Sequence, residues 1–225
     1  MKQIQAIHIH KSFQNELGHV DRKVLTDLNL EVDKSDCIAL MGPSGSGKTT
    51  LLNILGTLDV PDQGDLLFDG QSVQAFKEKD LLEFRSRKIG FVFQFHHLLP
   101  QLNLLENVLL PTLAVRKCTE DDLNRAEQLL VDMHVWEQRF NKPGELSGGE
   151  CQRAAVVRAL MNRPEVILAD EPTGSLDQVH ADILMDHFLK INEKEGVTFI
   201  IATHANRIAE RMNRVLRLEN GGITA

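Results

Sequence analysis

The sequence predicts an α/β fold with an antiparallel β portion near its start and a helical lobe inserted at residues 95–163. Three observations predict it. A glycine-rich stretch, Gly42-Pro43-Ser44-Gly45-Ser46-Gly47-Lys48-Thr49, stands between a short apolar run at 37–41 and a helix-like segment opening at Thr50. Other apolar runs end on a polar or charged group: 89–93 before Gln94, 166–169 before Asp170 and Glu171, and 197–203 before His204. Continuous apolar runs of that length are what strands buried on both faces require. From Phe95 strand alternation gives way to helical spacing, as in Leu123, Ala126, Leu129, Leu130 and Met133.

In chain order, residues 3–10 and 24–32 alternate apolar and polar, as half-buried antiparallel strands do. The polar stretch 14–23, with Gly18, reads as the loop between them. Phe13 ends the first strand, either as a core aromatic or as a platform on which adenine stacks. Residues 59–64 form a turn cluster, 65–70 a strand running into a turn, and 77–88 a charged surface helix. Gln94 lies where open α/β sheets place ligand groups, a reading that the later motifs favour over a plain loop residue. The segment 95–105 is apolar for a loop, and either packs within the lobe or docks a partner helix. His96 and His97 are adjacent and do not share a helix face for a metal, so they read as surface or docking residues. Residues 206–213 read as a short helix, 214–218 as a final strand and 219–222 as a turn.

The spacing G-x-x-x-x-G-K-[ST] at 42–49 fits a phosphate-binding loop, the plainer reading being a Gly/Ser-rich turn, and its setting between strand and helix favours the loop. Glycines let successive N–H groups face a phosphate, and the helix that follows presents its positive end to the anion. Lys48 reaches the β- and γ-phosphates, and the Thr49 hydroxyl is placed for Mg²⁺. Farther on, Ser147-Gly148-Gly149-Glu150 has the spacing of a capping box. Two glycines in a first helical turn cost stability, which makes sense where an anion approaches the backbone. Asp170 and Glu171 end a buried strand, Asp170 suited to a Mg²⁺ shell and Glu171 to activating a water. His204 is either a satisfied structural histidine or a γ-phosphate contact.

Charge and cysteine usage narrow the class. The net charge of −7 gives nucleic-acid binding no support. The three cysteines, Cys37, Cys118 and Cys151, form no C-x-x-C pair and read as reduced thiols of a cytosolic compartment. The first eight residues alternate and hold no apolar signal-peptide core. No run of about 18 apolar residues occurs, so the sequence reads as one that does not itself cross a membrane.

In order and approximate spacing, residues 42–49, Gln94, 146–150, 166–171, 175–177 and His204 resemble the Walker A, Q-loop, signature, Walker B, D-loop and H-loop of the ATP-binding cassette (ABC) ATPases. The resemblance implies a P-loop NTPase (RecA-like) core from 1–94 and 164–225, with an antiparallel β subdomain and an ABC-type helical subdomain at 95–163. It implies ATP with Mg²⁺ held by Thr49, Gln94 and Asp170, and catalysis by Glu171, His204 and Lys48. Phe13, residues 42–49, Thr50, Gln94, residues 147–150 and Asp177 would then contact nucleotide. It further implies a head-to-tail dimer in which Ser147–Glu150 of one copy cover the ATP of the other. Separate integral membrane permeases would dock near 94–110, and the chain would sit peripherally on the cytoplasmic face of the inner membrane. Within the family, residues 90–100, 105–108 and 169–177 are most similar to cassettes of lipoprotein-releasing systems and of macrolide exporters (MacB-like). Division-complex mechanotransmission cassettes (FtsE-like) are the alternative. Non-transport cassettes share the motifs, but their chains usually hold two cassettes or long coiled-coil insertions. Cys151 and Ser175 depart from the residues usual at their positions.

Overall fold

A computed structural model describes residues 2–14 and 20–224. The chain divides into two compact units, Met1–Leu82 with Thr198–Ala225, and Glu83–Val197.

In the first unit, β1 (Lys2–Gln14) pairs antiparallel with β2 (Val20–Asp33) and with β4 (Gln63–Phe68), and β4 with the short β5 (Gln71–Ser72), giving the order β2-β1-β4-β5. β1 and β2 are longer than expected and take in part of the loop predicted at 14–23, whose residues 15–19 lie outside the described residues. A second set of strands completes this unit. β3 (Cys37–Met41) runs parallel to β8 (Thr198–Ala202) and to β9 (Arg214–Glu219), and β10 (Gly222–Thr224) returns antiparallel to β9. β3 and β8 are buried at every position. That is why both read as unbroken apolar runs. α1 (Lys48–Leu55) follows β3 and buries Leu51, Leu52, Ile54 and Leu55, each worth about 1.5–3 kcal/mol. α7 (Asn206–Ala209) is shorter than the helix expected at 206–213. After it Arg211 N–H bonds to Ile208 O and Met212 N–H to Ala209 O, turns of three residues that stop the four-residue ladder.

In the second unit, β6 (Ile89–Val92) runs parallel to β7 (Val166–Asp170). A Cβ at Gly90 would lie 2.4 Å from Ala159 O and from Ile167 Cδ1, so only glycine lets helix α5 (Gly148–Leu160) pack this closely on β6. α3 (Leu104–Leu113) and α4 (Glu120–Asp132) pack with α5. Both open on capping boxes, Asn103 with Glu106 and Thr119 with Asp122. Residues 95–103 are not helical, although they lie in the segment expected as a helical lobe. α6 (Gln178–Glu195) has no counterpart in the sequence expectation, although Asp177 caps its start and Gly196, at φ 68°, closes it. α2 (Glu78–Lys88) buries none of its residues, as the charged pattern predicts. Among the described residues no helix is long and apolar enough to cross a membrane.

Candidate nucleotide site

In the first unit, β3 delivers the chain to the glycine-rich loop. A Cβ at Gly42 would stand 2.4 Å from Leu218 O, and one at Gly47, where φ is 107°, 2.7 Å from Val24 Cγ1. Those glycines are required by packing and backbone geometry alike. Gly47 caps α1 without a side chain, and the first turn holds no acidic residue. No cap side chain therefore competes with an anion at the start of α1. Lys48 Nζ curls back over the loop and donates to Gly42 O at 2.8 Å and Pro43 O at 3.0 Å. Ser46 Oγ is buried with no hydrogen-bond partner among the described residues, a cost sustained most simply in a loop built to hold a polar ligand. Thr49 is exposed and Thr50 half-buried at the same helix start.

β3 and β8 keep register to Leu40 opposite Ala202, and Thr203 N–H donates to Leu40 O at 3.1 Å. The glycine-rich loop and His204 therefore emerge from one carboxyl edge, the edge at which open α/β sheets bind ligands. His204 is exposed. Phe13 is 47% exposed, which removes its reading as a core aromatic. Lys11 Nζ lies 5.7 Å from the ring centroid and is itself fixed by Asp59 at 2.7 Å and Val60 O at 2.8 Å. The ring is thus a supported, accessible platform.

In the second unit, β6 and β7 are level at Val92 and Ala169, so Gln94 and the Asp170-Glu171 pair leave one carboxyl edge. Gln94 is exposed, and Asp170 and Glu171 are half-buried. Glu171 has φ 45°, and its carbonyl accepts the Gly174 N–H at 3.0 Å. A left-handed glutamate is uncommon and costs energy. It turns the chain sharply after Asp170.

The capping box at α5 is present in both directions. Ser147 Oγ donates to Glu150 Oε2 at 2.7 Å and accepts the Glu150 N–H at 3.3 Å, while Ser147 N–H donates to Glu150 Oε2 at 2.8 Å. The Ser147 hydroxyl, then its N–H, hold the Glu150 carboxyl below the usual carboxylate range. Around Gly148 a Cβ would meet nothing within 4 Å, so this backbone is open to close approach. Gly149 differs, since its Cβ would lie 3.2 Å from Leu176 Cδ2 and 3.5 Å from Arg153 Nη1. Asp177 caps α6, accepting the His180 N–H at 2.9 Å, and that bond keeps its carboxyl low.

Polar side chains of α5 add what sequence reasoning missed. Gln152, 1% exposed, donates to Phe93 O at 3.0 Å, one residue before Gln94. Arg158 donates to His97 O at 2.7 Å and His96 O at 2.8 Å. Arg153, 7% exposed, lies beneath the first turn, where Glu150 and Asp177 sustain a charge that burial opposes. Polar residues in a helix otherwise buried from Cys151 to Val157 were the available signal.

Comparison with known proteins shows the family. Residues 25–174 match the ABC transporter family. The chain is 44% identical over 218 residues to the lipoprotein-releasing system ATP-binding protein LolD of Porphyromonas gingivalis, covering 97% of each chain. It is 44% identical over 220 residues to LolD of Syntrophus aciditrophicus, covering 98% of each. Among solved structures it superposes on the cassette MJ0796 bound to ADP and phosphate in a dimeric post-hydrolysis state, with TM-score 0.91 and 34% identity, covering 99% of this chain and 97% of that one. By family match, relatives and fold, this chain belongs to the ABC transporter family, as one of its ATP-binding, ATP-hydrolysing cassettes.

Proposed function

We propose that this cassette powers separate membrane subunits that release lipoproteins from the inner membrane, working as a head-to-tail pair peripheral to the cytoplasmic face. The observation that carries the lipoprotein assignment is the 44% identity to LolD over 97% of both chains. The dimeric form of MJ0796 supports the pair. In domain terms, 1–94 and 164–225 would bind nucleotide, and 95–163 would carry the signature and, near 94–110, meet the membrane partner.

Adenine would stack on the exposed Phe13 ring, and the N–H groups of residues 42–49 with Thr50 would cradle the phosphates. Lys48, held at Gly42 O and Pro43 O, is a mobile charge that would move onto the β- and γ-phosphates. Thr49, Gln94 and Asp170 offer a hydroxyl, an amide and a carboxylate, the hard oxygen donors that Mg²⁺ takes beside phosphate. Bound there, Mg²⁺ would neutralise charge on the β- and γ-phosphate oxygens. Glu171 would orient the attacking water and draw its proton, and His204 would hold the γ-phosphate. Ser147, Gly148, Gly149 and Glu150 of a second copy would cover that phosphate, with Asp177 in the turn beside them. Catalysis would lie mostly in such positioned charge.

The test is co-purification from detergent-solubilised membranes. Membrane subunits with large periplasmic domains and bound lipoprotein are expected. Recovery of an efflux partner or of activators of cell-wall hydrolases would overturn the lipoprotein assignment.

A further inference from the structure

We propose that Arg22 is a further nucleotide-contacting residue, bridging the span between the Phe13 platform and the phosphate loop and binding nucleotide phosphate. The proposal rests on the nucleotide reading of Phe13 and residues 42–49. Neither the family's motifs nor the spacing of the sequence points to this position.

Two independent placements carry it. The first is register. Phe13 on β1 stands directly opposite Arg22 on β2, and residues directly opposite in an antiparallel pair project from the same face about 5 Å apart. The ring offered to the base and the guanidinium therefore share one face. The second is contact. Arg22 Nη2 donates to the carbonyl of Gly45, within the phosphate loop. A Cβ at Gly45 would stand 3.1 Å from Arg22 Nη2, 3.7 Å from Nη1 and 3.9 Å from Cζ. The guanidinium thus lies over the loop while its strand position lies across from the base platform. A nucleotide with its base on Phe13 and its phosphates in the loop must pass between these two points.

The chemistry fits that passage. Arg22 is exposed, and among the described residues Gly45 O is its only hydrogen-bond partner. A guanidinium has five donors in a rigid fork suited to phosphate oxygens. Lys11, the other cation on this face, is already committed to Asp59 and Val60 O, which leaves Arg22 as the cation to receive phosphate there.

Equilibrium titration with AMP-PNP, on the full chain, tests this. Arg22→Ala should weaken binding about tenfold, as expected for one charge-assisted phosphate contact, and reduce the dependence of Kd on salt. Arg22→Lys should recover part of the loss. Arg22→Gln keeps a donor for Gly45 O without the charge, and should bind as weakly as Arg22→Ala while melting like the wild type. In steady state the substitutions should raise KM for ATP and leave kcat within about twofold. Lys48→Ala is the control. If it abolishes AMP-PNP binding while Arg22→Gln binds like the wild type, the role of Arg22 is overturned and the nucleotide reading stands. If Lys48→Ala itself binds like the wild type, the nucleotide reading falls, and the role of Arg22 with it.

Discussion

Replacing Asn107 by leucine tests whether one buried amide holds the loop after β6 in shape. Asn107 is 0% exposed. Its Oδ1 accepts the Leu99 N–H at 2.7 Å, and its Nδ2 lies 3.1 Å from Leu99 O, 3.2 Å from Leu102 O and 3.0 Å from Asn103 O. Leu99 O also accepts the Leu102 N–H, and Asn103 O the Asn107 N–H. The groups that depend on the side chain are therefore the Leu99 N–H and the Leu102 carbonyl. Each buried group left unpaired costs about 1–3 kcal/mol. Leu99 is 41% exposed, so water recovers part of that and the low end applies. The expected loss is about 2 kcal/mol, or roughly 30-fold in the folding equilibrium. Denaturant unfolding gives the free energy, and hydrogen exchange at the Leu99 amide localises it. Asn107→Asp keeps the acceptor but sets a carboxylate against carbonyl oxygens, so it should cost at least as much. A change below about 0.5 kcal/mol, with Leu99 exchange unaltered, would refute the assignment of the loop's order to this amide.

Two other outcomes follow from the site and a third from the capping box of α4. Glu171→Gln should keep ATP binding and lower turnover by at least about 100-fold; single-turnover hydrolysis at the wild-type rate would remove Glu171 from its role. Gly148→Ala places a methyl where nothing lies within 4 Å, so the melting temperature should hold or rise slightly while hydrolysis falls at least about tenfold; unchanged hydrolysis would mean that no phosphate approaches this backbone. Asp122 is held below the usual carboxylate range first by the Arg116 guanidinium and then by the Thr119 N–H. A depressed folded pKa gives stability that is present above the ordinary value of 3.8 and lost as pH falls below it. The stability gap between wild type and Asp122→Asn should therefore shrink below pH 3.8 in acid titrations followed by circular dichroism.

Much of the architecture was legible because its causes are local. The glycines at 42 and 47, the Ser147–Glu150 capping box and the apolar runs that became β3, β7 and β8 all carry short-range constraints. Helix α6 is missing from the sequence expectation, in which Asp177 belongs to a turn and a motif, although an aspartate before Leu184 and Phe188 and a glycine at 196 are ordinary start and stop signals. The left-handed turn at Glu171 was not legible. Nothing in the type of residue there demands φ 45°, and the conformation persists because surrounding structure imposes it. Arg22 was hidden for another reason, since its place opposite Phe13 is a fact of strand register, and register is fixed by tertiary packing rather than by composition.

Helix α5 shows how one element serves two ends of its unit. Its first turn presents the open backbone of Gly148. Its next turns send Gln152 to Phe93 O and Arg158 to His96 O and His97 O. These bonds clasp the chain on both sides of Gln94 and Phe95. A helix is stiff over this length, so any shift of its start relative to β6 must stretch bonds to that loop or carry the loop along. Two of the bonds come from a guanidinium to carbonyls, about twice as strong as neutral pairs, so carrying the loop along costs less than breaking them. A displacement of α5 at Gly148 would therefore load the bonds from Gln152 to Phe93 O and from Arg158 to His96 O and His97 O.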